Sequence, residues 1–290
     1  MTAARHPYAG QTIGLATIHD KERAIATPFM RVLGARVMAA PNVDTDTLGT
    51  FSGEIARPAS PVEVTDMKAR MTFETMDVDC SLASEGSYGP IFKVPLKPGG
   101  METLTFIDRK RGVRITQTLT THRTNWRMLF FKPGEDERVA RELKALGFPE
   151  YGVVAMQNDD WLTVVKDLAT VEDVTAAVNR LARLSADGQA MVIPDMRAHR
   201  NPLRMKVIRA TAWRAAWSIS ARNGRRRASA IWIRGAASRA RAAAIPPTGS
   251  ISRSTAARAA AIPSCARAPT AGARRRSCRV RGVGRNSPAS

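Results

Sequence analysis

Apolar and polar positions along the first 210 residues follow two periods. Short apolar, β-branched runs mark buried strands: "TIGLAT" (12–17), "ARVMAAP" (35–41) and "CSLAS" (80–84), then "YGVVAMQ" (151–157) and "QAMVIP" (189–194). Segments of helical period lie between them. "KERAIATPFMRVLG" (21–34) has Asp20 as a candidate N-cap and Gly34 as its stop. "SPVEVTDMKARMTFETM" (60–76) opens on Ser60, Pro61 and Glu63, a capping box with proline in the first turn. "EDERVARELKALG" (135–147) is a further helix, as is "TVEDVTAAVNRLARLSADG" (170–188), capped by Thr170 and ended by Gly188. "NPLRMKVIRA" (201–210) begins another, with Pro202 in its first turn. The stretch "ETLTFIDRKRGVRITQTLTTH" (102–122) reads as two strands folded about Lys110, Arg111 and Gly112. Helices alternating with buried strands predict an α/β fold: a mostly parallel sheet flanked by helices, with one β-hairpin excursion.

In open α/β sheets, ligands bind outside the carboxyl ends of the strands. The residues following these strands are polar. His19 and Lys21 follow the first, Asp44, Asp46 and Thr50 the second, and Glu85 and Ser87 the third. Asp108 and Arg109 end the hairpin's first strand, while Asp195, Arg197, His199 and Asn201 follow the last. If the strands are parallel, these groups converge on one rim. His19, Glu85 and His199 are then the acid–base candidates. Lys21, Thr50, Ser87, Arg109, Arg197 and Asn201 are candidates to bind an anionic substrate. Asp44, Asp46, Asp108 and Asp195 are candidates to hold a divalent metal, Mg or Mn, because hard cations take oxygen ligands. Two readings of Asp44–x–Asp46 stay open, a metal pair and an Asx-turn loop. Gly49 and Gly53 around Thr50 likewise suit either backbone approach to an anion or a turn. No P-loop, G-x-G-x-x-G or G-x-S-x-G is present.

The strings "ATIHDKERAIATPF", "DTDTLGTFSGEIAR", "LASEGSYGP", "TFIDRKRG" and "PDMRAHRNPLRMKVI" resemble, in order, an uncharacterised bacterial family, a domain of unknown function. The resemblance covers about residues 12–209 and places all the candidates above except His199, together with Glu22 and Glu54, at motif positions. It implies no reaction. Members of that family continue into a cysteine-rich, zinc-ribbon-like end that this chain lacks, so zinc is not expected here.

Charge changes the picture at the C-terminus. The net charge is +20, yet residues 211–290 hold 17 Arg and no Lys, Asp or Glu. The remaining 28 basic and 25 acidic residues leave 1–210 near neutral, an ordinary globular segment. The tail also lacks Leu, Gln, His, Phe, Tyr and Met. That composition is what a GC-rich gene gives in a wrong reading frame. A frame change near Ala210 would permit three Cys-x-x-Cys pairs. The rival reading is a genuine basic tail that binds nucleic acid through its phosphates. Either way the tail is expected to be disordered and to hold polyanions non-specifically. No apolar run marks a signal peptide or a membrane span, so a cytoplasmic protein is expected. Two functional classes stand: a metal-assisted hydrolase or transferase acting on a small anion, phosphorylated or not, and a non-catalytic binding module. The oligomeric state stays open.

Overall fold

The computed structural model describes residues 6–49, 55–56, 58–91 and 94–242, with backbone alone at 91, 94–96 and 223–242. Thr50, Gly53, Glu54 and the tail from 243 onward lie outside the described residues. The elements from the first strand through the described side chains of the last helix belong to one compact unit, Met1–Arg239.

Strand β1 (Thr12–Ala16) sends Ile13 and Leu15 into one core cluster and Ala16 into another, so it is buried on both faces. It pairs in parallel with β2 (Arg36–Ala39) on one side and β3 (Cys80–Ile91) on the other. Between β1 and β2, helix α1 (Glu22–Leu33) ends as expected at Gly34, whose φ of 69° lets its N–H reach Met30 O. Asp20 does not cap this helix. Its backbone turns through φ 55° and its carboxylate meets Arg23 instead. Helix α2 (Pro61–Thr75) carries the full expected capping box between Ser60 and Glu63. It lies so close to β1 that a Cβ on Gly14 would collide with Thr72.

Strand β3 runs well past Ser84. The polar, Gly- and Pro-bearing stretch after it reads as loop, but β4 (Val94–Asp108) supplies an antiparallel partner in unbroken register from Cys80↔Asp108 to Pro90↔Pro98. Strand β5 (Val113–Thr121) completes the expected hairpin around Gly112. The sheet order is β2-β1-β3-β4-β5. One face packs on α1 and on the last helix, through Phe29, Leu82, Phe106 and Ile208; α2 packs on the other.

A second sheet holds β6 (Leu129–Phe131), β7 (Val153–Gln157), β8 (Val164–Val165) and β9 (Ala190–Pro194) in the order β6-β9-β7-β8. Every pair in it is antiparallel. Helices α3 (Asp136–Leu146) and α4 (Val171–Leu184) pack on one face through Leu143, Val178 and Leu181. Thr170 caps α4 as expected, but the helix ends at Ser185, before Gly188.

The fold is therefore α/β, but its strands are not mostly parallel. Parallel pairing is confined to β1 with its two neighbours. The reason for the difference is burial on two faces. In β7 and β9, Val153, Ala155 and Val192 face one cluster while Val154, Met156 and Met191 form another. A strand buried on both sides reads as a continuous apolar run whatever its direction.

Helix α5 (Pro202–Ala242) runs past residue 210. Ala212, Ala215, Ala216 and Ile219 are buried in the same cluster as Ile208 and Phe29, at the helical spacing that Ile208 begins. The packed chain thus continues to at least Ile219, and a change of frame at Ala210 is not supported. Among the described residues, no helix is long and apolar enough to cross a membrane.

Ile219→Ala should lower unfolding stability by about 2–4 kcal/mol, the usual cost of such a truncation in a packed core. Urea denaturation of the full chain reads this. An unchanged midpoint would mean that α5 does not pack beyond residue 210.

Candidate functional site

Because β1 and β3 are parallel neighbours, with Ala16 beside Ala83, the chain leaving β1 and the middle of β3 meet at one end of the sheet. His19 and Lys21 come from the first, Glu85 and Gly86 from the second. The chain leaving β2 brings Asp46, at the start of a 3₁₀ turn (Asp46–Leu48). Helix α2 brings Lys68, on the buried stripe it shares with Val64, Ala69 and Thr72. The chain leaving β9 brings Arg197, and the first turn of α5 brings Arg204. These residues line one small, partly open cavity, within which the centre of a water-sized molecule can range over about 30 Å³.

Four cations reach this cavity, and three have carboxylate partners. Lys68 Nζ lies 2.8 Å from Glu85 Oε2, both groups buried. Arg204 Nε lies 2.6 Å from Glu102 Oε1, which also accepts a hydrogen bond from the Tyr88 hydroxyl. Arg197 is gripped by Asp195 and Asp167, each 2.7 Å from its Nη2. Lys21 differs. Its ammonium donates to the carbonyl of Ser84 at 2.7 Å, and among the described residues no carboxylate lies within ion-pair distance of it. Burial draws the Lys21 amine down from 10.5 to about 8, and Arg204 adds repulsion; Glu85 and Glu102 oppose the shift.

His19 is pushed further. Burial, then the charges of Lys21 and other nearby cations, lower it from 6.5 to about 3, so the ring is neutral at pH 7. Its Nε2 lies 3.8 Å from Asp46 Oδ1, and its Nδ1 is buried without a hydrogen-bond partner among the described residues. The ring of His199 sits 5.1 Å away, tilted by 35°. His199 itself is exposed on a neighbouring groove of about 310 Å³, and burial together with Arg197 lowers its pKa.

Of the sequence candidates, His19, Lys21, Asp46, Glu85 and Arg197 line the cavity, with His199 against His19. Asp108 and Arg109 do not join them. Strand β4 is antiparallel, so its carboxyl end pairs with Cys80 at the opposite end of β3. There Asp108 is buried, accepting from the Tyr8 hydroxyl and from Arg111, and Arg109 pairs with Asp77. Asp44 serves the Asx-turn reading, accepting from the backbone N–H of Asp46. Asp195 orients Arg197. Asn201 Oδ1 accepts from the backbone N–H of Arg204, an N-cap bond at the start of α5. Ser87 lies two residues beyond Glu85, outside the cavity lining. The four proposed metal-ligand aspartates are thus not brought together. No group of three or more His, Cys, Asp or Glu converges among the described residues, and Asp46 and Glu85 are the two carboxylates on the cavity.

Lys68, Glu102 and Arg204 escaped the sequence reading. A signal existed for the first, a lysine inside the apolar stripe of an amphipathic helix. Glu102 and Arg204 carried none, because their meeting depends on the register of β3 with β4. That register sets Glu102 opposite Gly86. A Cβ there would collide with Glu102 Oε1 and lie 2.5 Å from Arg204 Nη2.

A family model described as Domain of unknown function (DUF6671) matches residues 68–224, more than half of the chain. The chain belongs to this family. The match takes in Lys68, Glu85, Gly86, Glu102, Arg197 and Arg204, and it runs through the packed part of α5; His19, Lys21 and Asp46 precede it. No curated protein compared with the chain matches it.

Gly86→Ala should push aside the tips of the buried Glu102 and Arg204 side chains and cost about 1–3 kcal/mol; calorimetry showing a wild-type melting temperature would contradict the packing. A second expectation concerns pH. The folded state holds His19 at about 3 and the unfolded chain near 6.5, so only the unfolded chain takes up this proton between those values. Stability attributable to His19 is therefore complete above about 6.5 and is lost as pH falls toward 3. In denaturant titrations across that window, His19→Gln should show a shallower acid loss than wild type. Equal slopes would mean that the imidazole is not held neutral.

Proposed function

We propose that the chain is an enzyme performing general acid–base chemistry on a small anionic molecule, as a hydrolase or transferase does. The observation that carries this reading is the convergence of Lys21, Lys68, Arg197 and Arg204 with one neutral imidazole on a single small cavity. Clustered cations in a desolvated cavity favour an anion far more than the same charges on a surface. A neutral imidazole with an unused ring nitrogen suits proton transfer within that field. In this reading Lys21 and Arg197 contact the anion, while Lys68 and Arg204 set the potential from behind their carboxylate partners. His19 moves the proton, and His199 flanks it. Glu85 orients Lys68 in place of a catalytic role of its own.

The test is anion binding by the full chain. Inorganic phosphate should raise the melting temperature of the wild type. Lys21→Met and Arg197→Ala should each weaken the cavity's phosphate affinity about tenfold or more, since one charge-assisted hydrogen bond is worth about 1.5–3 kcal/mol. The arginine-rich tail is common to all three proteins, so differences between them report the cavity. Identical phosphate responses would remove the basis for an anion site there.

A further inference from the structure

We propose that Lys21 is a covalent nucleophile that forms an imine with a small oxo acid, a carboxylate carrying an aldehyde or ketone carbonyl. The proposal rests on the reading above and names its substrate class.

Three features of the geometry single out this amine. First, it is buried yet lines the cavity. Second, its hydrogen bond goes to a backbone carbonyl, whereas Lys68, Arg197 and Arg204 each meet a carboxylate. Third, Arg204 and Lys68 disfavour its protonated form across the cavity, against the pull of Glu85 and Glu102. A desolvated lysine beside other cations is the usual way to keep an amine uncharged and nucleophilic. The same surroundings suit the other half of the substrate: Arg197 lines the cavity, and with Nε and Nη2 held by Asp195 and Asp167 its more loosely held Nη1 is the end that can meet a carboxylate. His19 lines the same cavity with an imidazole that is neutral at pH 7.

The step balances without a cofactor. The Nζ lone pair forms a C–N bond to the carbonyl carbon while the C=O π pair moves onto oxygen. One Nζ proton passes to that oxygen by way of His19, giving the carbinolamine. The C–O bond then breaks, the remaining Nζ proton follows the leaving oxygen, and water departs. A neutral imine to Lys21 remains.

Incubation of the full chain with pyruvate or glyoxylate and sodium cyanoborohydride, followed by intact-mass and peptide mass spectrometry, tests this. Hydride adds to the imine carbon and makes the linkage permanent. One adduct per chain is expected on the peptide bearing Lys21, formed fastest near pH 8 and suppressed by excess phosphate. Lys21→Arg keeps the charge and should lose that adduct. Because arginine is larger than lysine, the wild type trapped in urea is the second control, and there modification should spread over the lysines at large. Absence of a Lys21 adduct in the folded wild type, or adducts distributed as in urea, overturns the proposal. If the Lys21 adduct is absent while phosphate still stabilises the wild type and Lys21→Met weakens that effect, the imine step alone has failed. If phosphate binding is also unchanged by Lys21→Met, the anion site fails with it.

Discussion

One buried ion pair, Arg204 to Glu102, decides where the parts of this molecule meet. Glu102 sits in the middle of β4, and Arg204 is the third residue of α5. The guanidinium also donates to the carbonyl of Met196, on the chain that leaves β9. One side chain thus fastens the exit of the antiparallel sheet to the end of the mixed sheet where His19 and Lys21 emerge. Both charges are buried, so removing either would strand the other in a medium that cannot solvate it. A Cβ at position 86 would press on the tips of both side chains.

The electrostatics of the cavity follow from that arrangement. Arg204 cannot leave, so its charge is a fixed part of the field felt by Lys21 and His19. Most of the cationic charge is balanced by nearby carboxylates, which keeps the fold tolerable, yet the balance is uneven. Lys21 receives a carbonyl where its neighbours receive carboxylates. The opposite end of the same sheet provides a contrast. Asp108 is as buried as Glu102, but it is met by Tyr8 and Arg111 in a closed set of bonds. One end of the sheet is closed in a set of bonds, and the other leaves Lys21 on a carbonyl while its neighbours meet carboxylates.

Local chemistry made much of this legible from the chain alone. The capping boxes at Ser60 and Thr170 and the left-handed stop at Gly34 are set by residues within one turn, and each forms where the sequence places it. The polar exits of β1, β2 and β9 also reach the cavity, because each of these strands ends at its rim. What was illegible is direction. Nothing in "TLTFID" says that this strand runs backward beside β3, and on that single fact Asp108 and Arg109 move to the far end of the sheet. The doubly buried β7 and β9 hide their antiparallel pairing for the same reason. The arginine-rich composition from 211 onward drew attention from its first residues, which are small enough (Ala212, Ala215, Ala216) to bring α5 against the sheet. Composition averaged over a long window conceals a packed turn or two at its edge.

The position of α5 at the end of the folded unit carries a consequence for synthesis on the ribosome. The face of the mixed sheet that holds Leu82 and Phe106 is completed by Ile208, Ala212 and Ile219, more than a hundred residues downstream. Until that helix leaves the exit tunnel, the sheet has an uncovered apolar face, and Glu102 waits for a partner 102 positions away. Such long-range closure is slow relative to local folding. The nascent chain therefore passes through a stage in which secondary structure is present while the cavity is not, and the cavity takes shape only as the last packed element is translated.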